Sequence, residues 1–155
     1  MTADKLGNFS IDIECYNKIM ELIPGGAILE LGSGYATQML SDWYKMYSIE
    51  NNPKWLNRFK STYIYAPIKD GWYDLDALKS LPDYDLILVD GPCASAANPS
   101  IRMGFYKNIS LFNVDVPMVF DDVQRHPERE LVENVSEYVD REYTIYGNKK
   151  KFAVI

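Results

Sequence analysis

Short apolar runs alternate along the chain with stretches in which apolar residues recur every three or four positions. The short runs predict buried strands, and the wider spacing predicts amphipathic helices. The unbroken run in YDLILVD is typical of a strand that is covered on both faces, as in a parallel sheet. The predicted strands span residues 27–31, 46–50, 62–65, 84–90 and 116–121, and a terminal hairpin turns at Gly147-Asn148.

Helices are predicted between these strands. The first helix begins with Ser10 as its N-cap, follows a lead-in at Met1–Asn8, and ends at Pro24-Gly25-Gly26. The other predicted helices cover residues 36–44, 53–59, 72–81, 101–112 and the stretch that starts at Pro127. Five strand-helix units followed by a hairpin predict one α/β domain over residues 1–155 with a mainly parallel, seven-stranded sheet and a C-terminal antiparallel hairpin.

The most informative stretch is AILELGSGYATQML, residues 27–40. A strand runs directly into Gly32-Ser33-Gly34, and a helix follows. Glycine permits so tight a turn and lets a ligand approach the main chain closely. The start of the helix would present unpaired N–H groups and the positive end of its dipole to that ligand. We therefore expect an adenosine cofactor at this turn, held as in a Rossmann-type unit.

The residues around the turn indicate which cofactor. Glu30 stands two positions before Gly32, and Ala36 stands two positions after Gly34. This pattern resembles motif I of the class I S-adenosylmethionine-dependent methyltransferases, E/D-x-G-x-G-x-G, with alanine for the last glycine. The dinucleotide fingerprint G-x-G-x-x-G would instead need glycine at Thr37. The resemblance extends over nearly the whole chain and implies a Rossmann-like methyltransferase sandwich that uses S-adenosylmethionine.

The resemblance also implies a cofactor site at the carboxyl ends of the strands, made of Glu30, Gly32, Ser33, Gly34, Glu50, Asn51, Pro67 and Asp90. Glu50 would accept hydrogen bonds from the two ribose hydroxyls. Asn51 would face the adenine beside Pro67. Glu30 and Asp90 would offset the positive charge of the sulfonium and ammonium groups.

Three acids, Asp90, Asp121 and Asp122, follow the fourth and fifth predicted strands. Their placement is similar to that in catechol- and sugar-type O-methyltransferases, where such acids hold a metal that binds the substrate hydroxyls. Mg²⁺ prefers such oxygen ligands, although the family more often has Asp-Asn than Asp-Asp at the second position. In the competing account His126 is the catalytic base, and the acids are solvated caps. Asp90 and His126 are thus the candidate catalytic residues.

Charge and short motifs bear on nucleic acid as a partner. The net charge is −6, from 16 Lys+Arg and 22 Asp+Glu, which does not suit broad nucleic-acid binding. Pro92-Cys93 resembles the nucleophile motif of cytosine-5 methyltransferases, and Glu133-Asn134-Val135 matches their ENV sequence, yet that motif falls within a predicted helix. The chain has no N/D-P-P-Y sequence. Nucleic-acid methylation is therefore kept as an alternative rather than as the expectation.

The expected function is methyl transfer to the oxygen of a small polar acceptor. The acceptor pocket would come from residues 93–102, the N-terminal segment or a second subunit, so a homodimer is allowed. The alternative from another class is a catalytically degenerate cofactor-binding module or partner subunit.

Cysteine usage and hydropathy concern location. Cys15 and Cys93 form no CxxC motif and the chain has one histidine, so a zinc site is not expected and reduced thiols favour the cytoplasm. No apolar run is long enough to span a membrane and the N-terminus has no signal pattern, which argues against a membrane partner. Lys149, Lys150 and Lys151 are expected to form a solvated hairpin tip.

Overall fold

The computed structural model describes residues 10–155, so the predicted lead-in at Met1–Asn8 lies outside the described residues. The strands are Ala27–Leu31 (β1), Lys45–Glu50 (β2), Thr62–Tyr65 (β3), Ile68–Lys69 (β4), Trp72–Tyr73 (β5), Leu86–Val89 (β6), Met118–Phe120 (β7), Thr144–Gly147 (β8) and Lys151–Val154 (β9). The α-helices are Ile13–Leu22 (α1), Tyr35–Leu40 (α2), Gly104–Lys107 (α3) and His126–Val139 (α4). Within residues 10–155, no helix is both long enough and apolar enough to cross a membrane.

Seven strands form one sheet in the order β3-β2-β1-β6-β7-β9-β8. The first five are parallel, whereas β9 runs antiparallel to both β7 and β8. This confirms the predicted α/β class, the mainly parallel sheet and the C-terminal hairpin. From β1 the chain adds β2 and β3 on one side of the sheet, and then β6 and β7 on the other side. At such a point, open α/β sheets bind ligands in the crevice outside the carboxyl ends of the strands.

The core lies on both faces of the sheet. All four residues of β6 are buried, and they alternate between the two faces. Ile87 and Val89 pack on one side with the helical turns around Phe105, while Leu86 and Leu88 pack on the other side with α1 and α2. This arrangement explains why the strand has an unbroken apolar sequence rather than an alternating one.

The helix predicted over residues 53–59 is not formed. The chain makes consecutive turns there, and Asn57 adopts a left-handed φ of 57°. The main-chain N–H of Phe59 donates to the Tyr63 hydroxyl at 3.3 Å instead of to a helical carbonyl. Trp55 and Phe59 pack against Tyr35, which lies beside them at the start of α2. Their spacing therefore reflects an aromatic cluster rather than a helix face.

Other boundaries also differ from the sequence prediction. Residues 72–81 form β5 and a 3-10 helix, Leu75–Leu78, because β5 pairs with β4 in a small separate sheet. Residues 101–112 are divided into α3 and two 3-10 turns, Ile101–Met103 and Ile109–Leu111. The N-cap of α1 is Asp12, whose carboxylate accepts from the N–H of Cys15 at 2.9 Å, and not Ser10.

Candidate functional site

A cleft of about 360 Å³ opens at the carboxyl ends of β1, β2 and β6. Its size falls in the usual range for small-molecule sites, about 300–1,000 Å³. Six of the eight residues predicted to bind a cofactor line it, namely Gly32, Ser33, Gly34, Glu50, Asn51 and Asp90. Glu30 and Pro67 do not. The sheet thus brings together most of the residues that were predicted to form a cofactor site at the carboxyl ends of the strands.

The loops after β1 and β6 touch along the floor of the cleft. Gly32 has a φ of +89°, and a Cβ atom there would lie 2.9 Å from the main-chain oxygen of Asp90. A Cβ atom on Gly91 would lie 2.8 Å from the Tyr73 hydroxyl and 2.9 Å from the Cα of Gly32. Side chains are therefore excluded at both positions by backbone contact.

Gly34 differs from Gly32, because the space beside it is open. The nearest atom to a Cβ at Gly34 would be the Ser10 hydroxyl oxygen, at 3.9 Å. Gly34 lines the cleft, so a missing side chain leaves the main chain accessible from that side. This is a cradle that fits a small molecule lying across the loop.

Two of the N–H groups at the start of α2 are occupied by side chains of the protein, whereas we expected them to be free for a ligand. The N–H of Gly34 donates to the Thr37 hydroxyl at 3.0 Å, and the N–H of Ala36 donates to the Ser10 hydroxyl at 3.2 Å. Ser10, predicted to cap α1, therefore caps α2 and forms part of the cleft wall. These side chains fix the shape of the loop, so the N–H groups of Gly34 and Ala36 are not available to a ligand.

Glu50 is held in the cleft by the main chain on both sides. Its Oε2 accepts from the N–H of Ser33 at 3.0 Å, and its Oε1 accepts from the N–H of Asn52 at 2.7 Å. The side chain is buried. Because each carboxylate oxygen has two lone pairs, Glu50 retains the capacity to accept two further hydrogen bonds. The carboxylate is thus fixed in place for a ligand with paired hydroxyls.

Glu30 lies behind the loop rather than in the cleft. Its Oε1 accepts from the hydroxyls of Thr37 and Ser48, both at 2.6 Å, and the side chain is buried. Burial raises the pKa of Glu30 to about 8. The structure therefore gives Glu30 a positioning role, joining β1 to α2 and β2. Glu30 does not line the cleft, where we predicted that it would offset the positive charge of the cofactor.

Pro67 is also outside the cleft, since it lies beyond β3 and its carbonyl accepts from the N–H of Asp74. The aromatic wall is formed instead by Tyr35 and Trp55, whose rings meet edge to face at 6.1 Å. The guanidinium of Arg58 lies 4.6 Å from the centre of the Trp55 ring. This wall was not predicted from the sequence, because the spacing of Trp55 indicated a helix face.

Asp90, Asp121 and Asp122 converge as predicted. One oxygen of each lies within 4.8 Å of the others. The sequence did not indicate that a cation, Arg102, lies between Asp90 and Asp122. The Arg102 guanidinium, which is buried, donates to Asp122 Oδ2 at 3.1 Å and to the main-chain oxygens of Asp90 and Pro92, each at 3.2 Å.

A second cation enters this cluster from the C-terminal hairpin. Lys150 Nζ lies 2.9 Å from Asp121 Oδ2 and 3.6 Å from Asp122 Oδ1, so Lys150 is not part of a solvated tip. Arg125 also contacts Asp122, at 3.1 Å. Because side-chain cations face both Asp121 and Asp122, the residues do not fit the predicted Mg²⁺ site, in which the metal would provide the positive charge.

The acids of the cluster differ in basicity. Burial and the nearby Asp121 charge raise the pKa of Asp90 well above its ordinary value. Burial also acts to raise the pKa of Asp122, but Arg102, Lys150 and Arg125 hold it below its ordinary value. Asp90, which lines the cleft, is therefore the stronger base of these two.

His126 is not at the cleft. It is the first residue of α4, its side chain is 89% exposed, and its Nδ1 lies 4.0 Å from Glu130. The prediction of His126 as a catalytic base fails because the loop after β7 carries it away from the strand ends. Glu133-Asn134-Val135 lies inside α4, as predicted.

A scan against protein-family models gives no match, and a search of curated proteins gives none. Solved structures do match. The C-terminal domain of precorrin-6Y C5,15-methyltransferase from Rhodobacter capsulatus is 9% identical, with a TM-score of 0.60, and 97% of this chain covers 91% of that one. A ribosomal protein L11 methylase from Lactobacillus delbrueckii is 10% identical, with a TM-score of 0.57 and coverages of 90% and 74%.

A third solved structure is the methyltransferase MycE from the mycinamycin biosynthetic pathway, in complex with Mg, S-adenosylhomocysteine and mycinamycin VI. It is 15% identical, with a TM-score of 0.60, and 97% of this chain covers 50% of that chain. At such identities the likeness is one of fold. The chain has the Rossmann-like fold of the class I S-adenosylmethionine-dependent methyltransferases.

Proposed function

Because its fold is that of the class I methyltransferases, we propose that this protein binds S-adenosylmethionine in the cleft and transfers its methyl group to an acceptor. The observation that carries the proposal is the contact between Glu50 and Ser33. It fixes a carboxylate after β2 against the glycine-rich loop after β1, at the crevice where open α/β sheets bind ligands.

Cofactor binding is assigned to groups that line the cleft. Glu50 accepts hydrogen bonds from the ribose hydroxyls, because its carboxylate is already oriented by two main-chain N–H groups. The open side of Gly34 admits the methionine part of the cofactor. Tyr35 and Trp55 offer aromatic surface to the adenine next to Asn51. S-adenosylmethionine supplies an electrophilic methyl group on a positively charged sulfur.

Asp90 is the group assigned to proton transfer. It is the second carboxylate at the cleft, after Glu50. Its raised pKa makes the ionised form a better proton acceptor than an ordinary aspartate. An acceptor hydroxyl needs such a base when its oxygen attacks, so the site favours O-methylation. The orientation of the two reactants contributes the rest of the rate enhancement.

The acceptor is proposed to be a small polar molecule. The loop that follows Asp90 contributes Pro92 and the exposed Cys93 to the cleft, and the net charge of −6 disfavours polyanionic acceptors. Nucleic-acid methylation and a catalytically inactive cofactor-binding module are the alternatives. A cytoplasmic location and a homodimer stay predictions.

The test is a screen for S-adenosylhomocysteine release with a panel of small hydroxyl compounds, structured RNA and proteins as acceptors. We expect release with a hydroxyl compound only. Release with RNA or protein alone would replace the proposed acceptor class. Tight cofactor binding without release from any acceptor would favour the binding module, and absence of cofactor binding would contradict the proposal.

A further inference from the structure

The acid cluster of Asp90, Asp121 and Asp122 has the residue types of a metal site but contains a side-chain cation. We propose that the Lys150 ammonium takes the place of a divalent cation in this cluster, so that the protein binds no metal there. Resting on the proposed function, the inference extends to the reaction: methyl transfer in this protein is independent of metal ions.

The position of Lys150 is fixed by its contacts. Its Nζ lies 2.9 Å from Asp121 Oδ2, and it donates to the main-chain oxygen of Ser10 at 2.5 Å. Asp121 is 1% exposed, and its contact with the lysine is direct. A buried carboxylate is strongly disfavoured without a cationic or hydrogen-bonding partner. Lys150 is the side chain that provides this partner.

The conformation of the C-terminal hairpin places Lys150 next to the acid cluster. Gly147 has a φ of +93°, and a Cβ atom there would collide with the main-chain oxygen of Lys150. The next residue, Lys151, is tied to the segment after β7: its N–H donates to the Gln124 side chain and its carbonyl accepts from the N–H of Val123, both at 2.9 Å. The turn therefore holds Lys150 beside the end of β7.

Both oxygens of Asp122 already face donor groups of the protein. Its Oδ2 accepts from Arg102 and Arg125, both at 3.1 Å, and its Oδ1 faces Lys150 at 3.6 Å and Gln124 at 3.4 Å. A divalent cation requires oxygen ligands at about 2.0–2.6 Å. At Asp121 and Asp122 a metal ion would be repelled by an ammonium and two guanidinium groups. A metal could enter only if Lys150 left.

Lys150 also links the acid cluster to the cofactor cleft. Ser10, whose carbonyl accepts from Lys150, lines the cleft and caps Ala36 with its hydroxyl. Loss of the ammonium would therefore loosen the wall beside Gly34. This makes Lys150 a positioning residue for the cleft as well as the partner of Asp121.

The test is a titration with Mn²⁺, followed by the electron paramagnetic resonance signal of the free ion, on the wild type, Lys150→Met and Lys149→Met. Lys149 is exposed in the same turn, so its variant is matched in charge and location. We expect no detectable binding by the wild type or Lys149→Met, and binding by Lys150→Met that is at least about tenfold tighter than the limit that the titration sets for these two proteins. A folded Lys150→Met that gains no affinity would overturn the inference.

The wild type decides the question even if Lys150→Met does not fold. Mn²⁺ binding by the wild type that is lost in Asp121→Asn would show a true metal site and overturn the inference. Neither readout involves the cofactor, so the result is separate from the fate of the proposed function. Once an acceptor is known, activity that survives EDTA treatment is expected, and activity restored only by Mg²⁺ would contradict metal independence.

Discussion

A Cβ atom on Gly32 would lie 2.9 Å from the main-chain oxygen of Asp90, so the loops after β1 and β6 meet without space for a side chain. The contact lies within the cleft, because Gly32, Asp90 and Gly91 all line it. It also explains in physical terms why the first glycine of the motif is required. The left-handed φ of +89° adds a second restriction that other residues rarely satisfy.

Gly32→Ala is therefore expected to destabilise the protein by about 1–3 kcal/mol through backbone strain, with the contact adding to the loss. Urea unfolding measures the change. Gly25→Ala is the matched control, since no atom lies within 4 Å of its Cβ position and it has no left-handed φ. Equal stability of the two variants would show that the loop contact is not rigid.

Glu30 should give the protein a distinct dependence of stability on pH. Its pKa is about 8 in the folded protein against an ordinary value of 4.5. Between these values the folded state retains a proton that the unfolded state has lost, so the contribution of Glu30 to stability is greatest below pH 4.5 and falls as pH rises towards 8. The slope is at most about 1.4 kcal/mol per pH unit.

Glu30→Gln keeps the shape of the side chain and cannot ionise. Its free energy of unfolding, measured by urea across the same pH range, should lose this decline and exceed that of the wild type at the alkaline end. A decline as steep as in the wild type would show that another group is responsible.

The sequence predicted the elements that depend on local pattern. Strand β6 could be recognised because a strand buried on both faces has an unbroken apolar run. Glu50 could be placed because the residue that ends a parallel strand lies at the ligand edge of the sheet. The predictions that were wrong concern segments in which tertiary contacts override the local conformational preference of the sequence. Residues 53–59 have helical spacing, but Trp55 and Phe59 pack sideways on Tyr35.

The ion-pair partners of the acids could not be predicted. Arg102 belongs to a segment with the spacing of an amphipathic helix, and Lys150 lies within three consecutive lysines at a turn. Neither position differs in sequence from a solvated one. Only the three-dimensional arrangement shows that Arg102 is buried between two loops and that Lys150 reaches Asp121. The prediction of His126 as a catalytic base was wrong for a similar reason, because closeness in sequence to Asp122 does not imply closeness to the cleft.

Asp90→Asn should reduce the rate of methyl transfer by about 10²- to 10⁴-fold, the usual contribution of a general base. In the wild type the rate should rise with pH through a midpoint above the ordinary aspartate range, because the pKa of Asp90 is raised and only the ionised form accepts a proton. The pH profile of kcat with the identified acceptor measures both effects. A wild-type rate in Asp90→Asn, with the protein folded, would remove Asp90 from the reaction.

The central claim, that the cleft binds S-adenosylmethionine through Glu50, is tested most directly by calorimetry with S-adenosylhomocysteine. The wild type should bind, and Glu50→Ala should lose affinity, because two charge-assisted hydrogen bonds of about 1.5–3 kcal/mol each are removed. Glu130→Ala, an exposed acid on α4, should bind like the wild type. Absence of heat from a folded wild-type protein at millimolar ligand, or unchanged affinity in Glu50→Ala, would contradict the account.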